Sequence, residues 1–264
     1  FSSGLDFETK IMIKEDAPEL LRVELSSPKW RPQVVALSGN TDCYQPVEKK
    51  RRLTRRCLQV FLEFRNPVVI VTKNHLVTRD IDVLSELARY QCVGVTVSLT
   101  TLDAKLAALM EPRASRPTRR LAAIKALSEA GVPVGYLQAP MIPGLTDSEA
   151  PAIAQAAALA GATFSGYVAL RLPFAVKSLF EEWLQQHYPD KKEKILNRLR
   201  AIRSGKLNDP NFKSRMRGEG IFAEQMADLF QLARKKSGIK ERWPELTTEH
   251  FRRVSKSQLE LFVS

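Results

Sequence analysis

The sequence predicts an α/β fold on a parallel sheet: a barrel, a partial barrel or a doubly wound sheet. Three observations support this. Short strands are apolar on both faces, as in sheets covered by helices on each side. Strands and amphipathic stretches alternate in a βα repeat that recurs five or six times. No GxGxxG follows the first strand, which weakens the dinucleotide-binding form of the doubly wound sheet.

The elements follow in order. Lys10–Lys14 reads as a short strand. Ala17–Leu25 has apolar residues at helical spacing and ends in Ser26-Ser27-Pro28. Gln33–Leu37 is an apolar strand, and Val47–Phe64 a helix. Pro67–Thr72 is the next strand, followed by a helix over Asp80–Tyr90. Val93–Leu99 is a strand, and Thr118–Ala130 a helix that Gly131 closes. Val132–Ala139 is a strand, and Ser148–Ala160 a helix closed by Gly161. Thr163–Leu170 is the last clear strand. After Leu172-Pro173 the chain becomes more charged, with helices over Val176–His187, Lys191–Arg203 and Phe222–Ser237. Residues 174–237 thus read as a helical extension, and the polar, basic Gly238–Ser264 as a tail.

The chain has 264 residues, 44% hydrophobic and 27% charged, which suits a globular protein and not a disordered one. No apolar run is long enough to span a membrane. The start, Phe1-Ser2-Ser3-Gly4, is not a signal peptide, and without an initiator Met the chain is expected to belong to a longer protein. Lys and Arg number 41 against 29 Asp and Glu, a net charge of +12. This excess favours an anionic partner, nucleic acid first, and is equally consistent with a generally basic surface. Cys43, Cys57 and Cys92 form no CxxC pair, so no local zinc or iron–sulfur motif is visible. Such cysteine usage fits a reducing cytoplasm. His75 and His187 are isolated from other ligand-type residues, and no metal ligand is assigned.

In parallel α/β enzymes the site forms at the C-terminal ends of the strands. Here these ends are Ser38–Glu48, Thr72–His75, Ser98–Thr101, Ala139–Gly144 and Leu170–Pro173. Lys73, after an entirely apolar strand, is placed to neutralise a carboxylate or phosphate; the alternative is a solvated loop lysine. Glu111-Pro112-Arg113 is either a helix-start turn or a pair holding ligand hydroxyls. No residue is singled out as catalytic.

These rim segments together resemble the radical S-adenosylmethionine superfamily, in the spore photoproduct lyase and DNA repair photolyase-like branch. The matching pieces are GLDFETKI (Gly4–Ile11), SGNTDCYQPVE (Ser38–Glu48), TKN (Thr72–Asn74), SLTTLD (Ser98–Asp103), EPRA (Glu111–Ala114), APMIPGLTD (Ala139–Asp147), YVALRLP (Tyr167–Pro173) and RMRGEG (Arg215–Gly220). The resemblance implies a partial (β/α)6 TIM-type barrel over residues 1–173. It also implies lyase-like chemistry, with a four-iron four-sulfur (4Fe-4S) cluster and S-adenosylmethionine (S-adenosyl-L-methionine, AdoMet) as cofactors. In that chemistry the cluster donates one electron to AdoMet, giving methionine and a 5′-deoxyadenosyl radical, which takes a hydrogen atom from the substrate. Carried onto this chain, Ser38, Thr41 and Lys73 would meet the amino-acid end of AdoMet and Ser98 its ribose or amino-acid end. Ala139 would lie near the adenine, with Glu111 and Arg113 on the ribose side.

Two departures stand out. The CxxxCxxC loop, expected just upstream of Gly4–Ile11, is absent, so the cluster cysteines are expected before Phe1. The family's hydrogen-donating cysteine is expected in the turn before Thr41-Asp42, where this chain has Ser38-Gly39-Asn40. The substrate is therefore expected to be nucleic acid, DNA first, without assignment to the spore lesion. A small-molecule or protein substrate and a non-catalytic binding module are the alternatives.

Basic clusters at Lys49–Arg56, Arg113–Arg120, Lys191–Arg203 and Lys213–Arg217 are candidate phosphate contacts, and for the first a solvated helix face is the alternative. Tyr44, Tyr167 and Arg171 are candidates to stack on or hold a base at the barrel mouth. Gln258-Leu259-Glu260-Leu261-Phe262 resembles the bacterial sliding-clamp peptide QLxLF, with Leu259, Leu261 and Phe262 as anchors and Gln258 fixing register. The protein is expected to be monomeric.

Overall fold

The structure is a computed structural model that describes residues 10–39, 41–211, 214–240 and 243–254. Five strands, β1 (Val35–Leu37), β2 (Val68–Thr72), β3 (Val93–Ser98), β4 (Val134–Met141) and β5 (Phe164–Ala169), form one sheet in the order β1-β2-β3-β4-β5. Every neighbouring pair is parallel. Unbroken sequential order with a helix over each crossover is the barrel form of α/β, not the doubly wound form. At the sixth position, the described residues beside β5 make an isolated parallel bridge, Phe164 to Lys240, and a hydrogen bond from the Ala169 amide to the Met216 carbonyl.

The helices are α1 (Ala17–Ser26), α2 (Glu48–Arg51), α3 (Leu53–Phe64), α4 (Ile81–Arg89), α5 (Ala104–Met110), α6 (Pro117–Glu129), α7 (Ala150–Leu159), α8 (Val176–His187), α9 (Pro189–Ala201) and α10 (Ile221–Lys236). In α3 the buried Thr54, Cys57, Leu58, Phe61 and Phe64 recur at helical spacing and form its core-facing stripe. Gly131 and Gly161 end α6 and α7 with φ of +73° and +96°, a left-handed stop that glycine takes without steric cost. No described helix is long and apolar enough to cross a membrane.

Register sorts the strand residues by face, because side chains alternate along a strand. Val68, Ile70, Val95, Val97 and Tyr136 share the face buried under the helices. Ala36, Val69, Val71, Thr96, Ser98 and Leu137 share the opposite, lumen face, where Ala36 is exposed and Val69 and Val71 are half-buried.

Several expectations need correction. Lys10–Lys14 forms no strand. The expected helix Val47–Phe64 is two helices, broken at Arg52, which takes a left-handed φ of +53°. The helix α5 was missed because its seven residues are short and carry little periodicity; Asp103 caps it, accepting from the Lys105 and Leu106 amides at 2.7 and 3.2 Å. The expected tail packs as far as Val254. Trp243 lies against Phe164 (4.9 Å between ring centroids), and Phe251 against Phe64 (6.3 Å). The Arg252 amide donates to the Phe64 carbonyl at 2.9 Å, and Arg253 Nη2 to the Trp30 carbonyl at 2.9 Å. The strand ends thus carry a strap beneath the barrel, anchored by aromatic contacts too dispersed to read as a periodic element. The clamp-like residues Gln258, Leu259, Leu261 and Phe262 lie outside the described residues.

Candidate active site

The C-terminal strand ends hold a network of charged side chains built around two carboxylates. The first is Asp42, in the loop after β1. Its carboxylate accepts from Thr72 Oγ1 at 2.7 Å, from the Lys73 amide at 2.7 Å and from the Tyr44 amide at 2.8 Å. This fastens the first rim loop to the end of β2 and fixes the backbone that carries Lys73.

The second carboxylate is Glu111, just after α5. Its Oε1 lies 2.5 Å from Lys73 Nζ and accepts from Thr100 Oγ1 at 2.9 Å. Its Oε2 lies 2.6 Å from Nη2 of Arg120, a guanidinium only 2% exposed. Arg120 also donates to the carbonyls of Ser98 (3.1 Å) and Ser115 (2.6 Å). Burial pushes the Glu111 carboxyl pKa up, but Lys73 and Arg120 more than offset this, and the net direction is down. Glu111 is therefore a buried, ionised, immobilised carboxylate, while Lys73 is about one-third exposed and movable.

Two clefts meet at this pair. One, of about 750 Å³, is lined by Asp42, Gln45, Pro46, Lys73, Glu111 and Arg113 among others. The other, of about 760 Å³, shares Lys73, Met110, Glu111 and Pro112 and continues over the apolar Leu109, Pro140, Leu170, Phe174, Phe180 and Trp183. The mouth is thus charged on one side and apolar on the other.

The sequence-derived candidates fall into three groups. Lys73, Glu111 and Arg113 come together in the first cleft. Ser98 and Ala139 connect to it indirectly. The Ser98 carbonyl is held by Arg120, and the Ala139 carbonyl accepts from Thr100 Oγ1 at 3.1 Å. Ser38 and Thr41 flank Asp42 without lining the cleft; the Ser38 hydroxyl donates to Cys43 Sγ at 3.4 Å. Arg171, after β5, is half-buried, with Nε lacking a hydrogen-bond partner among the described residues. Tyr44 and Tyr167 do not reach the mouth. Tyr44 is fully buried and donates its hydroxyl to Asp80 at 3.1 Å, while Tyr167 packs on Phe230 of α10. Period-2 alternation places Tyr167 on the helix side of β5, a consequence of register invisible in the rim motif.

Asp42, Thr100 and Arg120 were missed as site residues. Asp42 had a local signal in the Thr41-Asp42 pair, whereas Arg120 reaches Glu111 only through the fold. The basic cluster Lys49–Arg56 also divides. Arg51 pairs with Glu15 (2.9 Å), Arg56 with Glu19 (2.6 Å), and Arg55 with Asp80 and Asp82 (3.1 and 2.6 Å). Lys49, Lys50 and Arg52 are exposed, as are Arg113, Arg116 and Arg119.

A partial parallel barrel with a charged cleft at its C-terminal strand ends defines the class of α/β barrel that binds its ligand at the strand tips. Residues 7–157 match the family model of the Radical SAM superfamily, and the chain belongs to that superfamily. It is 33% identical over 220 residues to the uncharacterized protein Rv2578c of Mycobacterium tuberculosis, covering 82% of this chain and 64% of the relative. It is 28% identical over 191 residues to the uncharacterized protein MJ0683 of Methanocaldococcus jannaschii, covering 71% and 67%. The chain thus spans about two-thirds of the length of these relatives. Its fold matches that of spore photoproduct lyase complexed with dinucleoside spore photoproduct, with a TM-score of 0.60, 15% identity, and coverage of 87% of this chain and 66% of the lyase. A double mutant of that lyase with bound AdoMet and the same photoproduct matches with a TM-score of 0.56 at 15% identity, covering 89% and 69%.

The family implies AdoMet and a 4Fe-4S cluster. The described residues do not fit a cluster. No group of three metal-ligating side chains occurs among them, Cys57 and Cys92 are buried, and Cys43 is half-buried behind Ser38. They do fit a zwitterionic ligand: an ammonium and a carboxylate face one cleft, and the buried Thr96 hydroxyl on the lumen face lacks a partner.

Proposed function

We propose that this chain is the AdoMet-binding barrel of a radical SAM enzyme whose substrate is nucleic acid, in the manner of a DNA repair lyase. The observation that carries the first half is the Lys73–Glu111 pair at the convergence of two clefts. When bound, AdoMet supplies the adenosyl group from which radical chemistry starts. Lys73 holds the ligand carboxylate, moving from Glu111 to do so. Glu111, fixed by Arg120 and Thr100, faces the ammonium and ribose side. Arg120 keeps the end of β3 in place through the Ser98 carbonyl. The apolar wall of Leu109, Leu170 and Phe174 excludes water from the space above.

Binding of AdoMet to the protein, followed by calorimetry without any cluster, tests this reading. Lys73→Ala is expected to weaken binding by about tenfold or more, as loss of a charge-assisted contact does. Unchanged affinity in that variant defeats the assignment.

Support for a nucleic-acid substrate comes from Arg113 in the lining of the mouth and from the exposed cations Lys49, Lys50, Arg52, Arg116 and Arg119 of the segments that follow the rim motifs. Binding of a single-stranded oligonucleotide should weaken steeply with salt, and Arg116→Ala with Arg119→Ala should reduce the salt slope by roughly one to two. A slope insensitive to these changes favours the second reading, a small-molecule or protein substrate, for which the apolar half of the mouth speaks. The tail residues Gln258, Leu259, Leu261 and Phe262 are proposed to dock on a sliding clamp; binding to a clamp that survives Leu261→Ala with Phe262→Ala ends that proposal.

A further inference from the structure

The motif Arg215–Gly220 has no part in the mouth. The Met216 carbonyl accepts from the Ala169 amide at 2.9 Å, so this segment lies along the free edge of β5 at its C-terminal end. Lys240 bridges the same edge at the other end. Between these two attachments the sheet edge opens into a cleft of about 770 Å³, which shares no lining residue with the two clefts of the mouth. This volume lies within the usual range of small-molecule sites.

The cleft has the parts of a ligand site. Tyr167 and Phe230 form an aromatic wall with ring centroids 4.9 Å apart, and Trp243, packed on Phe164, also lines the cleft. The Arg217 guanidinium lies 4.0 Å from the Tyr167 ring centroid, exposed and with no carboxylate at ion-pair distance among the described residues. Ser165, 7% exposed, contributes its hydroxyl to the lining, next to the buried hydroxyl of Tyr136, its register neighbour on β4. Arg234, 7% exposed, adds a second guanidinium to the lining, and the Gln231 amide adds a donor and an acceptor. At Gly218, with φ of +81°, a Cβ would meet the Ile202 carbonyl at 2.8 Å, so the loop packs tightly against the end of α9. Glu219 and Glu224 complete the rim as acceptors.

We propose that this edge cleft is a second ligand site, separate from the AdoMet cleft, that takes a nucleobase-bearing anion: a nucleotide, free or within a single strand. The aromatic wall and Arg217 suit a planar ring, Ser165, Gln231 and the rim carboxylates suit a base edge, and the guanidinium groups suit a phosphate.

The test is titration of the protein with dTMP, dAMP, inorganic phosphate and a short oligothymidylate, read by tryptophan fluorescence and calorimetry without AdoMet or cluster. Saturable nucleotide binding is expected, weakened about tenfold in Arg217→Ala and about threefold or more in Ser165→Ala, with Lys73→Ala binding as wild type. Arg217 is exposed, so its replacement leaves the fold intact, as circular dichroism would verify. An oligothymidylate bound more tightly than dTMP, with the same variant sensitivity, identifies a strand as the source; equal affinity identifies a free nucleotide. The proposal is overturned if nucleotides do not saturate by about 5 mM or if both variants bind normally. It is equally overturned if phosphate competes as well as dTMP, or if Lys73→Ala is the variant that loses binding.

Discussion

Replacing Glu111 with Ala removes the carboxylate from beneath Arg120, a guanidinium that is 2% exposed. Arg120 retains the Ser98 and Ser115 carbonyls, but its charge then lies buried with no anion. Breaking a buried pair by removing one partner costs about 3–5 kcal/mol. For chains of this size that is a fall in melting temperature of roughly 6–20 °C. Glu111→Gln loses the charge but keeps one accepting oxygen for Arg120, with its NH2 donor turned toward the partly exposed Lys73, so it should cost less, about 1.5–3 kcal/mol. Lys73→Ala should cost under about 1 kcal/mol, because that ammonium is partly solvated. Urea unfolding followed by circular dichroism would rank the three, and an unchanged m-value would confirm that stability itself has changed. The pH dependence adds a second check. The folded-state pKa of Glu111 is lowered, so its contribution is present above the unfolded carboxylate value of about 4.3 and is lost as the pH falls through the folded-state value. The gap between wild type and Glu111→Gln should therefore close in acid. If Lys73→Ala destabilises more than Glu111→Ala, or if the gap widens below pH ~4, the view of Glu111 as the fixed centre of the site is wrong.

Other outcomes follow from neighbouring contacts. Asp42→Ala should release the first rim loop from β2 and weaken AdoMet binding while leaving the Glu111–Arg120 pair intact; limited proteolysis within residues 38–48 would report the loosening. Asp80, fully buried, receives Arg55 (3.1 Å), Arg79 (2.8 Å) and the Tyr44 hydroxyl (3.1 Å), so Asp80→Ala should destabilise by about 3–5 kcal/mol and Tyr44→Phe by about 1 kcal/mol, both measured by urea midpoint. Burial pushes the thiol of Cys43 up to about 12 and those of Cys57 and Cys92 up to about 11. All three should therefore resist thiol reagents at pH ~8 until urea unfolds the chain, since the thiolate is the reactive form; rapid labelling of native protein would contradict this.

Much of the architecture was legible in the chain because it depends on local chemistry. Apolar runs specify parallel strands by being covered on both faces, fully in Val93–Ser98 and by half on the lumen side of Val68–Thr72, and Gly131 and Gly161 specify helix ends by backbone freedom alone. Lys73 stood out because a charge after an apolar strand has one obvious place, the strand tip. The sequence also carried the superfamily in its ordered rim motifs. Tertiary structure decided the partners. Glu111 and Arg120 are nine positions apart and face each other only because the turn after α5 folds back against α6. Three arginines of Lys49–Arg56 are held by Glu15, Glu19, Asp80 and Asp82, which no local pattern announces. Tyr167 was assigned to the mouth from its motif and placed on the helix side by register, because a strand sends successive side chains to opposite faces. Residue type and spacing thus determine which elements form and which ends carry charge. The face a side chain takes and the charge it meets depend on distances closed by the fold.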